Sequence, residues 1–485
     1  MPNTSASLAH LPLKGIIGNG ERKWLGMSAF YAAALATVLL FIAAGTLLGA
    51  KASDSNDYSL GGRSASAAGV TGILLGALVG GASTVGTVQM AYKCGMTAVW
   101  FTLGGGIGCL LLGLRFAAPL RNSGITTVAD YLAKSYGGAQ SACGRAVALT
   151  ATVSSSIGTF ISVCAQFLSC AAMLRGVFPI SYGQAALFTA FSVLGFIASG
   201  GMKSYGALGK AKIALLYAVL AICAAATFFI EPRAAVLSVL PFDPWLNPFG
   251  RGFFPEVGYL ASMIVGVFTT QIYIQSLAAA KDAKAARNGA LASALLMPPM
   301  GLLGVRIGLY ARASGAVMPP ENVLAWFITN SFPPILGGLL WGGVIITVIG
   351  CAAGLILGVA TNVSKNLVPG RIMKKHPNLE LPLQRGLACA TAALAAALSV
   401  GGAGTTILEW SYMSMGLRGA GTFLPFVMAV VRPKELTPAW ALASSAGGLA
   451  GTVFWALAGL RGDPLFAGLA VSGLCVAIGI ASNKK

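Results

Sequence analysis

Arg418 lies in the segment Ser411-Tyr-Met-Ser-Met-Gly-Leu-Arg418-Gly-Ala-Gly-Thr-Phe-Leu-Pro425, near the middle of a long apolar stretch. A charge at the centre of a bilayer costs about 2.5–3.5 kcal/mol on insertion scales, so such a residue faces a partner, a ligand or a water-filled path. Two kinds of chemistry are open to it. The guanidinium can take a solute carboxylate through paired hydrogen bonds, or it can plug carbonyls freed by a helix break. Other polar side chains also sit inside apolar runs. Ser83 and Thr84 follow Gly80-Gly81, and Gln89 closes the same run. Gln271 and Gln275 are four apart and share one helix face. For these two, and for Gln166, interhelical hydrogen bonding worth about 0.6 kcal/mol and a solute path are both open. Bond-making chemistry finds no support. His10 and His376 fall in loops, Glu256 and Glu409 lie near span ends, and no carboxylate falls at mid-depth. There is no His/Asp/Glu cluster to hold a metal and no nucleophile beside a base. The chain reads as a binder and not as an enzyme.

The elements that position these residues are membrane helices. Apolar residues make up 56% of the 485 and charged residues only 9%, against about 25% charged in soluble domains. The net charge of +19 is scattered between apolar runs without a basic stripe, which excludes nucleic acid as a partner. Most of the nine cysteines sit in apolar segments, as small hydrophobes do. The pattern predicts an all-α integral membrane protein of about 13 spans, each near the ~20 residues a bilayer requires. They are 24–49, 67–91, 98–120, 144–174, 181–199, 207–230, 256–280, 289–312, 334–362, 385–403, 405–430, 438–460 and 463–481. The first is too long for a signal-peptide core and is expected to be retained.

Positive charge in the connections sets the orientation. With the N-terminus outside and the C-terminus inside, inner connections hold most of the lysines and arginines, Lys210 and Lys212 among them. Lys14, Arg22 and Lys23 oppose the rule. The longer connections, 231–255 and 313–333, read as short helices over the outer face. Thr126-Thr127-Val-Ala-Asp130-Tyr131 reads as the start of a short amphipathic inner helix capped by a threonine.

One span carries signs of interruption and another is unusually polar. Adjacent Gly80 and Gly81 weaken a helix by about 1 kcal/mol each, and the hydroxyls beside them can satisfy freed backbone groups. A break of this kind is tolerated where it is buried in protein or lines a cavity; a Gly-rich packing helix is the other reading. Thr269-Thr270-Gln271 makes 256–280 unusually polar. Gly350, Gly354 and Gly358 form a small-residue face for a close neighbour.

The order of these features resembles the sodium:solute symporter family. Ser59-Leu-Gly-Gly-Arg63 precedes the first broken helix, then come Ala91-Tyr92-Lys-Cys-Gly95 and Trp100, Gly124-Ile-Thr126-Thr-Val-Ala-Asp130-Tyr131-Leu132, the Gly200-Gly201-Met202 turn and Val363-Ser-Lys365-Asn366-Leu367. The resemblance covers essentially the whole chain. It implies a leucine-transporter-type fold, with inverted five-helix repeats at 67–230 and 256–430 whose first helices are interrupted, at Gly80–Thr84 and around Thr269–Gln271, and peripheral helices at 24–49, 438–460 and 463–481. It also implies a coupling sodium ion on the ninth span. Counting back from Asn366 puts the usual hydroxyl pair at Gly350 and Cys351, and neither supplies a hard oxygen. The acid some relatives carry beside the first break is Thr84, and the Asp that often follows the Gly-Gly turn is Gly209.

The expected protein is a secondary active transporter of the cell membrane. It moves a small polar, carboxylate-bearing solute across the lipid bilayer, with Na+ as the implied coupling ion. Candidate solute contacts are Ser83, Gln89, Gln166, Gln271, Gln275 and Arg418. Candidate cation contacts are the backbone of Ala82 and Val85 with Thr347 and Cys351. A transporter-derived solute sensor is the alternative; such proteins usually append a signalling domain.

Overall fold

The computed structural model describes residues 20–48, 54–138, 141–197, 201–230, 238–368, 373, 375–402 and 404–483. His10, Lys14 and Gly200, named above, lie outside the described residues, as do Lys51, Arg233, Arg371, Lys374, Lys484 and Lys485 among the remaining charges. The described helices, in chain order, are α1 Gly20–Leu48, α2 Ser55–Leu60, α3 Ala67–Leu78, α4 Thr87–Cys94, α5 Val99–Leu111, α6 Ala117–Asn122, α7 Val128–Ser135, α8 Ala142–Arg175, α9 Tyr182–Ile197 and α10 Gly201–Ile230. Then follow α11 Phe253–Thr269, α12 Gln271–Ala278, α13 Ala283–Ala313, α14 Val323–Ser331, α15 Pro334–Asn366, α16 Glu380–Gly401, α17 Ile407–Ala420, α18 Phe423–Val431, α19 Pro438–Leu457 and α20 Pro464–Asn483. The all-helical architecture agrees with the sequence reading.

The count of 13 spans is not reproduced. Among the described residues nine helical stretches are long and apolar enough to cross a membrane, or up to 11 if each bent pair is one span. The shortfall has a physical origin. α3 has 12 residues because the break follows it, and the described part of α9 has 16. Ala82–Asn122 runs as one 41-residue stretch, yet Gly95 turns it, with φ +73°. Contacts along α13 show the reversal. A Cβ on Gly304 would meet Thr87 at 3.3 Å and one on Gly308 would meet Tyr92 at 2.9 Å, so α4 runs parallel to α13. Cβ atoms on Gly105 and Gly113 would meet Met297 and Leu291, so α5 runs back.

Small residues set the packing elsewhere too. α1 lies against α15, where an added Cβ on Gly338 would meet Ala33 at 2.9 Å and one on Gly342 would meet Thr37 at 2.8 Å. α15 is the central post: its apolar window is wholly buried. Its Gly350, Gly354 and Gly358 face Lys212, Tyr205 and Ile272, which realises the close-approach face read from the spacing. α19 and α20 pair at one edge through Ser444 and Ser472, 2.7 Å apart.

Thr127 provides the threonine cap expected of α7, and Asp130 completes a reciprocal box with it. The connection before α11 holds a turn at Phe242–Leu246, and the one before α15 holds α14. At the end where α3 begins and α12 finishes, Ala65 pairs with the chain leaving α12. Its N–H donates to Ala279 O at 3.0 Å and its carbonyl accepts from Lys281 N at 2.9 Å. Arg121 donates to the Ala280 and Lys281 carbonyls beside this bridge.

Candidate functional site

The first break follows α3, where Val79 turns to an extended conformation, φ −97° and ψ 105°. An uninterrupted helix would bond Gly80 N to Gly76 O and Gly81 N to Ala77 O. Neither bond forms, so four backbone groups must find partners in a medium without water. Gly80 N donates to Ser83 Oγ at 3.0 Å. Gly81 N donates to Gln166 Oε1 at 2.7 Å. The Gly76 carbonyl accepts from Lys212 Nζ at 2.5 Å. The Ala77 carbonyl accepts from Cys351 Sγ at 2.9 Å and from Tyr273 OH at 3.4 Å. A turn of wider pitch, Ala82–Gly86, then leads into α4. Glycine is required at both positions of the break. A Cβ on Gly80 would run into Cys351 and Gln166, and one on Gly81 into Ser169.

The second break is at Thr270, φ −83° and ψ 117°, where α11 and α12 meet at 48°. A third, absent from the sequence reading, separates α17 from α18 by a 55° bend at Gly421-Thr422. Pro425 has no N–H to give the Gly421 carbonyl, and Ser445 Oγ bonds that carbonyl at 2.5 Å instead. Arg418 therefore stands in the last turn of a half-helix, where the backbone dipole favours a cation.

Arg418 is 1% exposed. Its Nη1 donates to Ser162 Oγ at 3.0 Å and to Ser414 Oγ at 2.9 Å. Its Nε has no partner, and no carboxylate pairs with it among the described residues. Its hydrogen-bond partners are hydroxyls, not the carbonyls freed by the break. Tyr273 and Cys351 stand within its electrostatic reach.

One helix joins the three breaks. Along α8, Ser155 Oγ donates to Thr269 O at 3.1 Å, and Ser154 Oγ to Leu417 O at 2.6 Å. Gly158 lets Arg418 approach, with Arg418 Cβ 2.7 Å from an added Cβ. Ser162 holds the guanidinium, and Gln166 holds Gly81. The Ser162 and Gln166 positions are four residues apart, about 6 Å along the helix.

The candidate residues do not all converge. Ser83, Gln166 and Cys351 meet at the first break, and Arg418 lies one turn of α8 away. Gln89 sits at one end, where its side chain donates to Thr405 O at 3.3 Å and accepts from Ile407 N at 3.0 Å. Gln271 is placed toward the opposite end, tying Thr126 O and Val128 N of the α7 start at 3.0 and 3.2 Å. Gln275 donates to Ser59 O at 2.5 Å. These three clamp chain segments together, the hydrogen-bonding alternative left open by the sequence. Of the cation candidates, Ala82 O accepts from Thr87 Oγ1 at 3.2 Å, and Val85 lies in the wide turn. Thr347 Oγ1 donates to Gly343 O at 2.7 Å, one turn before positions 350 and 351, and Cys351 Sγ donates to Ala77 O at 2.9 Å. This donor set suits sodium poorly: positions 350 and 351 of α15 offer no hydroxyl, and the Gly76 carbonyl already accepts from a lysine ammonium.

Lys212 corrects the sequence reading most sharply. It is not in an inner connection but 2% exposed at the first break. α10 starts at Gly201, before the expected 207, which carries Lys212 more than two turns into the helix. The polar run around Lys203-Ser-Tyr205 hid that early start.

The match to known proteins covers this whole arrangement. The model of the sodium:solute symporter family matches residues 58–437. The osmoregulated proline transporter OpuE of Bacillus subtilis (strain 168) is 23% identical over 440 residues, 84% of this chain and 85% of the relative. A Na+-coupled sialic acid symporter, solved substrate-bound and outward-open, has a TM-score of 0.74 at 14% identity, covering 94% of this chain and 98% of its own. MHP1, a nucleobase-cation-symport-1 transporter in a closed conformation with bromovinylhydantoin, has a TM-score of 0.54 at 13% identity, covering 88% and 94%. The fold is of the leucine-transporter type. The proteins matched are transporters and not enzymes. With a family match across all three helix breaks, this multi-pass membrane protein belongs to the sodium:solute symporter family.

Proposed function

We propose that this symporter carries a small polar solute bearing a carboxylate, received by Arg418 between α8 and α17. The observation that supports the reading is a buried guanidinium held by two serines with an edge left open. Nη1 is committed, while Nε has no partner. A carboxylate met side-on takes that edge and supplies the missing counter-charge. About 6 Å along α8, the break at Gly80-Gly81 offers the other end of an amino-acid-sized solute its polar turn, with Ser83 and Gln166. Proline and sialic acid, the solutes named for two relatives, are both carboxylic acids. The repeats 67–230 and 256–430 would rock against each other about this point. One end is tied by Gln89 to Ile407, the other by Gln271 to the α7 start. Releasing one clamp while keeping the other gives alternating access.

The test is a thermal-shift screen on purified full-length protein with L-proline, N-acetylneuraminic acid and the neutral prolinamide. A ligand at 100 times its Kd stabilises by about 2.7 kcal/mol, a readily measured rise in Tm. A carboxylate is expected to raise Tm and the amide is not. Equal shifts from proline and prolinamide would remove Arg418 from recognition.

The charge asymmetry orients the chain with Asn247 outside and Asn378 inside. Single cysteines at these positions, with the accessible native cysteines replaced, are expected to react with an impermeant maleimide from outside and inside respectively. Labelling of both from outside contradicts the orientation.

A further inference from the structure

The freed carbonyls at the end of α3 are where a helix break offers hard oxygen to a cation. Lys212 Nζ is bonded to one of them, Gly76 O, at 2.5 Å. No Asp or Glu pairs with this lysine among the described residues. A buried ammonium without a counter-charge is held by what faces it, here the negative end of the α3 half-helix. The surroundings fit the ammonium closely. Gly350 leaves room for the side chain: an added Cβ would lie 3.0 Å from Lys212 Cδ and 3.4 Å from Nζ. Gly209, one turn earlier on α10, brings the helix against the Gly72 backbone so that Lys212 reaches Gly76. Cys351 spends its thiol on the second freed carbonyl. The other titratable groups nearby are Tyr205 on the same helix, Tyr273 on α12 and Arg418 on α17. α3 itself carries none.

We propose that the Lys212 ammonium is the resident cation of the first helix break and that this chain binds no sodium there. A metal ion on the same carbonyl would face a positive charge at contact distance, without an anionic ligand or a hydroxyl at positions 350 and 351 to offset it. Gly350 and Cys351 are then part of one adaptation. The glycine makes space for the lysine stem, and the thiol replaces a hydroxyl the metal would need. The inference rests on the symporter reading and concerns the identity of its cation.

The test measures radioactive sodium on purified full-length protein by scintillation proximity, with choline as the replacing cation. Wild-type protein is expected to show no saturable sodium binding. The combined variant Lys212→Ala, Gly350→Ser, Cys351→Ser is expected to gain it, because the ammonium is gone and two hydroxyls face the freed carbonyls. Saturable binding by the wild type overturns the proposal, whatever the variant does; a variant that fails to fold leaves that wild-type result decisive. The solute screen, repeated in sodium and in choline, separates the two readings. A carboxylate shift that requires sodium sinks the Lys212 proposal and leaves the symporter reading standing. A carboxylate shift of equal size in both salts supports it. No shift with any solute in either salt counts against the solute reading and leaves the sodium-binding result to decide on Lys212.

Discussion

Arg418→Lys is expected to yield folded, inserted protein whose affinity for a carboxylate solute is weaker by roughly 10- to 100-fold, equivalent to about 1.4–2.8 kcal/mol. Lysine keeps the charge in the last turn of α17, so the half-helix keeps its favourable dipole contact. It can also still reach a serine hydroxyl. What it loses is the planar fork. In the wild type Nη1 occupies Ser162 and Ser414 while Nε stays free. One group can therefore anchor to the protein and bind solute at once. A single ammonium must share three rotatable donors between both tasks. Isothermal titration with the carboxylate found in the screen gives the affinity, and a melting curve gives the stability. A Tm loss with unchanged affinity would show that the guanidinium only braces the α8–α17 contact.

Gly209→Ala is expected to have the largest effect on stability. Its Cβ would be forced against the Gly72 carbonyl, with the carbonyl carbon 2.7 Å away. Both obstacles are backbone, so no rotamer change relieves them. α10 must move off α3, an overpacking cost of typically 1–3 kcal/mol. The same displacement draws Lys212 away from Gly76 and leaves a buried charge unpaired, which adds about 3 kcal/mol or more. A marked fall in the Tm of detergent-solubilised protein is the expected result. Gly386→Ala is the control: nothing lies within 4 Å of the added Cβ, and alanine favours a helix by about 1 kcal/mol over glycine. Equal melting temperatures for the two variants would contradict the account of the α3–α10 crossing.

The sequence made some of this legible because certain residue pairs have few uses inside a bilayer. Gly80-Gly81 followed by hydroxyls read as a break, and the structure shows the hydroxyl of Ser83 and the amide of Gln166 closing it. Thr269-Thr270-Gln271 read only as unusual polarity, and the break between α11 and α12 came from the family resemblance. The third break escaped notice because the hydroxyls and glycines of the run 405–430 are scattered along it and Arg418 drew the reading. Pro425 was its signal, since a proline there deprives Gly421 of a donor. Polarity alone could not tell a clamp from a ligand. Gln89 and Gln271 sit on broken spans exactly as a solute contact would, yet each bonds the backbone of a distant segment. That distinction depends on which chain lies opposite, and no local pattern records it. Lys212 was misplaced for a related reason. Counting charges assumes that lysines mark connections, and a lysine about three turns inside a helix breaks the assumption only when its acceptor is known.

The pairing of Ala65 with the chain after α12 constrains how the transporter can yawn open at that end. The entry to one broken helix and the exit of the other share two backbone hydrogen bonds, with Arg121 riveted across the seam. Neither half-helix can swing out by itself without tearing that seam. Opening there becomes a single stroke of a yoked pair, and the two breaks above it act as elbows of one lever rather than as two separate doors.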